Sequence, residues 1–131
     1  MRSAVIVDAV RTPMGRRNGI LKDWHPVDLS GLVISTLLER TGADPDRIDD
    51  VIWGCVSQTG EQTGNIGRFA ALAAGLPEHV PGVAIDRQCG SSQQAVHFAA
   101  QAIMAGVQDV VVAGGVESMT RIPMGVTYSQ G

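Results

Sequence analysis

The stretch VAIDRQCGSSQQAVHFAAQAIMAGVQDVVVAGG, Val83 to Gly115, decides the fold class. Val83 to Gln88 reads as a strand, Ser91 to Ala105 carries apolar residues at helical spacing and stops at Gly106, and Val110 to Ala113 is a fully apolar strand ended by Gly114 and Gly115. A strand buried on both faces has this continuous apolar run. Upstream the alternation repeats. Asp50 to Val56 reads as a strand, and Gly64 to Ala74 as a helix followed by Gly75 and Pro77. Pro26 to Arg40 reads as a helix, with Val27, Leu29, Leu32, Val33, Leu37 and Leu38 at helical spacing, Pro26 as its opener and Gly42 after its end. Ala4 to Val10 is a β-branched run closed by the breaker-rich Arg11 to Gly19, and reads as the first strand. The order βαβαβαβ predicts a mostly parallel sheet covered on both faces, a three-layer α/β/α fold. In Ser91 to Ala105 the apolar residues occupy most of the circumference, which predicts a helix buried on all sides and packed against something beyond these residues.

The chain has 131 residues, the size of one domain. With 44% hydrophobic and 18% charged residues it is too apolar for a disordered tail. Ten basic residues against 13 acidic ones give a net charge of −3, so no basic field exists to hold nucleic acid. No apolar run approaches the roughly 20 residues that span a bilayer. Arg2, Asp8 and Arg11 interrupt the first segment, where a signal peptide needs a continuous apolar stretch. A soluble, cytoplasmic protein with no membrane partner is expected. The two cysteines, Cys55 and Cys89, are then a poor case for a structural disulfide. They do end neighbouring predicted strands about 5 Å apart, so an adventitious bridge stays open.

Cys89 carries the chemistry. It follows a parallel strand directly and precedes Gly90, Ser91, Ser92 and a helix. The carboxyl edge of a parallel sheet is where ligands bind, and the free amides of a helix start favour thiolate over thiol and can hold a developing oxyanion. The competing reading is a small residue chosen for packing, since free cysteine is commonly buried. His97 cannot be the base for this thiol, because eight residues along a helix is about 12 Å of rise. His25 and His79 read as solvated loop residues, so the base is expected to lie outside these residues. Arg16 and Arg17 lack phosphate-loop spacing and read as a solvated charged loop. Gly114, Gly115 and Glu117 share the sheet edge of Cys89 and read either as pocket-shaping or as ordinary turn chemistry. Gln62, Asn65 and Arg68 read as capping and surface residues opening a helix.

Four blocks, VIVDAVRTPMGRRNG (5–19), WGCVSQTGEQTGNIGR (53–68), DRQCGSSQQAV (86–96) and VVVAGGVESMTRIPMG (110–125), together resemble the thiolase family in order and spacing over essentially the whole chain. The resemblance is to the N-terminal third of a thiolase subunit. It implies a half-domain with an incomplete, mostly parallel sheet, residues 1–117 forming the N-terminal domain without its last strand and 118–131 beginning a lid-like insertion. In thiolase-like folds the five strands run 3-2-4-5-1, so the strand between the fourth and the first would be missing. The resemblance makes Cys89 the acyl-accepting nucleophile in thiolytic cleavage of a 3-ketoacyl-CoA, as in fatty-acid β-oxidation, to acetyl-CoA and a shortened acyl-CoA. Coenzyme A is then a co-substrate, with no metal and no prosthetic group, and the complete enzyme a homodimer or homotetramer. The resemblance makes Gln62, Asn65 and Arg68 at most pocket or subunit-contact residues. The family's G-H-P histidine and C-x-G cysteine are absent: His25-Pro26 follows Trp24, and Cys55 sits in WGCV. An inactive chain on its own is therefore expected. Alternatives are a biosynthetic, acetoacetyl-CoA-forming thiolase, a 3-oxoacyl carrier-protein synthase, and a non-catalytic acyl-CoA- or lipid-binding or split-subunit module.

Overall fold

A computed structural model describes residues 1–129. Gln130 and Gly131, the last residues of the stretch 118–131 expected to begin an insertion, lie outside the described residues. Along the chain come α1 (Pro26–Thr41), β1 (Asp50–Gly54), α2 (Ile66–Ala73), β2 (Gly82–Ile85), α3 (Ser91–Met104), β3 (Val111–Gly115) and α4 (Val126–Ser129), with short 3-10 turns at Pro45–Arg47 and Gly60–Gln62. The strands lie in the order β2-β1-β3, all parallel. Ile52 pairs with Val83 on one side and Ala113 on the other, and Gly54 with Ile85 and Gly115, so all three strands end together at one edge.

Local chemistry explains the helix ends. The His25 ring accepts from the Val27 N–H, which satisfies a free donor at the start of α1, so this histidine is a helix cap and not merely a solvated loop residue. Gly42 closes α1 in a left-handed conformation (φ +64°) and donates to the Leu38 carbonyl. Asn65 caps α2 by accepting from the Arg68 N–H. Two cores follow from strand alternation. Val51, Trp53, Cys55 and Val112 pack against Ile34 of α1 and Ile66, Ala70 and Ala71 of α2. On the opposite face Ile52, Ile85, Val111 and Ala113 pack against Ala95 and Ala99 of α3. Helices therefore cover both faces of the sheet, in three layers.

One expectation fails, and a second, that α3 packs against something beyond these residues, is not tested by the described ones. Ala4 to Val10 is not a strand: it makes no backbone-to-backbone hydrogen bond among the described residues. The ion pair Asp8–Arg40 holds it, and Arg2–Asp109 holds the residues just before it, with β3 across an open cleft of about 1410 Å³. No strand of the sheet lies beside it to pair with. The helix α3 is buried only along the stripe that faces the sheet. Val96, Phe98 and Met104 are 39%, 43% and 38% exposed, because no described layer lies over them.

Candidate active site at the carboxyl edge of the sheet

β2 ends three residues earlier than the apolar pattern predicts, and Asp86–Gly90 forms a turn that delivers the chain into α3. Gln88 carries the sharpest bend, with φ +51°, a left-handed conformation that costs a side-chain-bearing residue about 1 kcal/mol. Ser91, 5% exposed, holds the bend: its hydroxyl accepts from the Arg87 N–H (2.8 Å) and donates to the Gln88 carbonyl (2.6 Å). The Asp86 carboxylate takes the Gln88 N–H (2.8 Å). The result is a braced elbow with Cys89 at its tip, exposed at the edge where all three strands end. The amides of Gly90 and Ser91 turn back to the carbonyls of Arg87 and Gln88, whereas those of Cys89, Ser92 and Gln93 have no acceptor among the described residues. This arrangement presents a thiol beside free N–H donors, as acyl transfer requires.

Close packing fixes the elbow's height. A Cβ on Gly54 would lie 2.5 Å from the Ser92 nitrogen and 2.6 Å from the Ser91 carbonyl carbon. One on Gly115 would overlap the Ser92 hydroxyl and lie 2.5 Å from the Gly54 oxygen. Glycine at both positions lets the first turn of α3 sit directly on the ends of β1 and β3, so Gly115 does more than terminate a strand.

The second thiol is a different chemical object. Cys55 follows β1, is 1% exposed, and burial pushes its pKa up to about 12, with the carboxylates of Glu117 and Asp86 adding to the effect. Both cysteines are free thiols. No histidine hydrogen-bonds to Cys89: the His25 ring caps α1, His79 lies 3.3 Å from the Asp46 carbonyl, and His97 is exposed on α3. Among the described residues no group of three or more His, Cys, Asp or Glu could hold a metal.

Gln62 and Arg68 depart from the capping and surface roles expected of them. Gln62 has no exposure and bonds to Ser57, Glu117 and Ser118. The Arg68 guanidinium donates to the carbonyls of Glu78 and Val80, tying α2 to the loop before β2. Glu61 and Arg121, which the sequence reading did not single out, form a two-pronged ion pair (2.5 and 2.6 Å) that fastens residues 118–122 to the 3-10 turn. The guanidinium holds the Glu61 carboxyl below the usual carboxylate range.

Residues 4–130 match the model of the thiolase N-terminal domain. The chain belongs to the thiolase family. It is 56% identical, over its whole length, to the steroid 3-ketoacyl-CoA thiolase FadA6 of Mycobacterium tuberculosis, of which it covers 32%. It is 52% identical over 95% of its length to a 3-ketoacyl-CoA thiolase of Pseudoalteromonas translucida, again covering 32% of that protein. The crystal structure of the Bacillus anthracis acetyl-CoA acetyltransferase superposes with a TM-score of 0.87 at 46% identity, over 92% of this chain and 30% of that one. The chain thus spans about a third of the length of the curated relatives it matches. The observed order β2-β1-β3 agrees with predicted strands 3-2-4 of the thiolase arrangement. Among the described residues no helix is long and apolar enough to cross a membrane.

Proposed function

We propose that this chain supplies the nucleophile-bearing part of a thiolase that cleaves 3-ketoacyl-CoA with coenzyme A. The observation that carries the reading is the exposed Cys89 thiol at the tip of a braced strand-to-helix elbow, beside unpaired N–H groups. In this reading the Cys89 thiolate attacks the 3-keto carbonyl and the bond between C2 and C3 breaks. The departing two-carbon unit takes a proton and leaves as acetyl-CoA. The thiol of a second coenzyme A then attacks the acyl–Cys89 thioester, giving the shortened acyl-CoA and regenerating the cysteine. Coenzyme A is a co-substrate, and no metal or prosthetic group takes part.

Residues 1–117 act as the domain that holds the nucleophile, and 118–131 begin the insertion over it. With no histidine on the thiol, the chain by itself does not turn over, since a missing base costs about 100- to 10,000-fold in rate. Assembly is as a homodimer or homotetramer: β2 is an edge strand whose Val83 is exposed, and the neighbouring α2 exposes Phe69 and Leu72. The two free thiols fit a reducing, cytoplasmic compartment.

Incubating the intact protein with acetyl-CoA and mapping acylated peptides by mass spectrometry tests the reading. Acylation at Cys89, lost in Cys89→Ala, is the expected result. Acyl-CoA binding with no covalent adduct would refute it and favour the non-catalytic alternative.

A further inference from the structure

The ends of β1 and β3 are joined by a polar clamp that the acyl transfer itself does not use. The Glu117 carboxylate, two residues past β3, accepts the N–H of Val56 (2.8 Å) and of Ser57 (3.3 Å), both just past β1. It also accepts from the Gln62 side-chain amide (2.9 Å). Gln62 is wholly buried and every polar atom of its side chain is used: the amide nitrogen also donates to the Ser57 carbonyl (2.9 Å), and the side-chain oxygen accepts the Ser118 N–H (2.8 Å). One backbone bond, from the Val116 N–H to the Gly54 carbonyl (3.0 Å), completes the joint. A carboxylate taking three donors in a sheltered site is among the stronger polar anchors available to a protein.

The clamp lies directly under the elbow. Gly54 and Gly115, which it holds side by side, are the residues on which Ser91 and Ser92 rest without room for a methyl group. Close-packed elements transmit displacement, so an outward shift of either strand end moves the first turn of α3 and with it Cys89. We propose that Glu117, braced by Gln62, is a positioning residue for the Cys89 thiol: it locks the ends of β1 and β3 into the floor that sets where the Cys89–Ser92 turn sits. Glu117 acts only through this backbone, as nothing places its carboxylate on the thiol. The inference rests on the acyl-transfer reading for what the thiol does, and on geometry alone for how the thiol is held.

In Glu117→Gln the side chain keeps its size, but one oxygen becomes an NH2 group facing N–H donors. The single-turnover rate of Cys89 acylation by acetyl-CoA in the intact protein should fall about 10- to 100-fold, the scale of loss from a shift of about 1 Å. The half-saturating acetyl-CoA concentration should stay within about twofold, because the polar atoms of Glu117 and Gln62 are all engaged by protein partners. Glu117→Asp keeps the charge and should retain more of the rate than Glu117→Gln. If Glu117→Gln shows no cooperative melt, Gln62→Leu, which leaves Glu117 its two backbone donors, decides the matter, with a smaller loss of the same kind expected. Either variant, folded and acylating within about twofold of the parent, overturns the inference. So does a loss confined to half-saturation. If the parent itself forms no Cys89 acyl-enzyme, the acyl-transfer reading fails. Iodoacetamide alkylation of Cys89 then tests the floor by itself: a rate changed in Glu117→Gln supports the positioning role, and an equal rate overturns it.

Discussion

Replacing Gly54 by alanine should damage the elbow from below without touching it chemically. The new methyl would stand 2.5 Å from the Ser92 nitrogen, where an ordinary contact begins at 3.4 Å, so about 0.9 Å must be found. The obstructing atoms are backbone, the Ser92 nitrogen and Cα and the Ser91 carbonyl carbon, and no rotamer change removes them. Sheet and helix must therefore separate by most of that distance. Overpacking of this kind costs about 1–3 kcal/mol of stability. A shift of about 1 Å in a reacting group costs about 100-fold in rate. Urea unfolding of the intact protein measures the first quantity and single-turnover acylation of Cys89 the second. Gly90→Ala is the steric control: its φ is −96° and the nearest atom, the Arg87 carbonyl oxygen, lies at 3.4 Å, so its unfolding free energy should stay within about 1 kcal/mol of the parent. A Gly54→Ala protein as stable as the parent, acylating at the parent's rate, would refute the claim that α3 is seated on this glycine.

The two thiols should respond oppositely to reagent and to alkali. Limiting iodoacetamide near pH 8 should label the exposed Cys89 before Cys55, whose pKa of about 12 leaves almost no thiolate, and peptide mapping that finds Cys55 labelled first would contradict this. Because Cys55 holds its proton to about pH 12 when folded and loses it near 9 when unfolded, its contribution to stability is complete below pH 9 and declines as pH rises from 9 to 12. Urea midpoints in Cys55→Ala should decline less over that range. At the acid end the amides of Val110 and Asp109 hold the Asp49 carboxyl below its usual 3.8. A depressed carboxyl stabilises the fold above its unfolded value and loses that contribution as pH falls through the folded one, so Asp49→Asn should flatten the acid limb of the urea midpoint below about pH 4.

Much of this frame was legible because it rests on local chemistry. The Val110 to Ala113 run, the Pro26 opener and the Gly42 stop each encode their element within a few residues, and α1 and β3 appear within two residues of the expected bounds. The position of Cys89 was legible for the same reason, since a strand, a short turn and a helix in succession fix a sheet edge. Gln62 was not. Its place at the opening of the predicted helix Gly64 to Ala74 reads as a capping or surface position, while its partners Glu117 and Ser118 lie more than fifty residues away. No periodicity announces a buried amide whose acceptors and donors are that distant. Glu117 was hidden likewise by the glycine pair before it, which local rules already explain as a turn. The Gln88 bend had no signal, because glutamine is not a residue that favours positive φ.

The misread first strand shows where propensity stops being sufficient. Val5, Ile6 and Val7 have strand-forming side chains, and alternation would send Val5 and Val7 to one face and Ile6 to the other. All three are 74–80% exposed, so neither face is covered. A strand's stability lies in its ladder and its cross-strand contacts, and residues 4–10 have neither among the described residues. The ion pairs Arg2–Asp109 and Asp8–Arg40 hold the segment only by exposed or partly exposed side chains, which contribute little in water. With no strand beside them, residues 4–10 form no ladder among the described residues. β3, across the cleft, also has one side without a strand partner in the described sheet. The β-branched run thus carries strand propensity, whereas a ladder needs a strand edge within hydrogen-bonding reach, and β3 lies across the cleft.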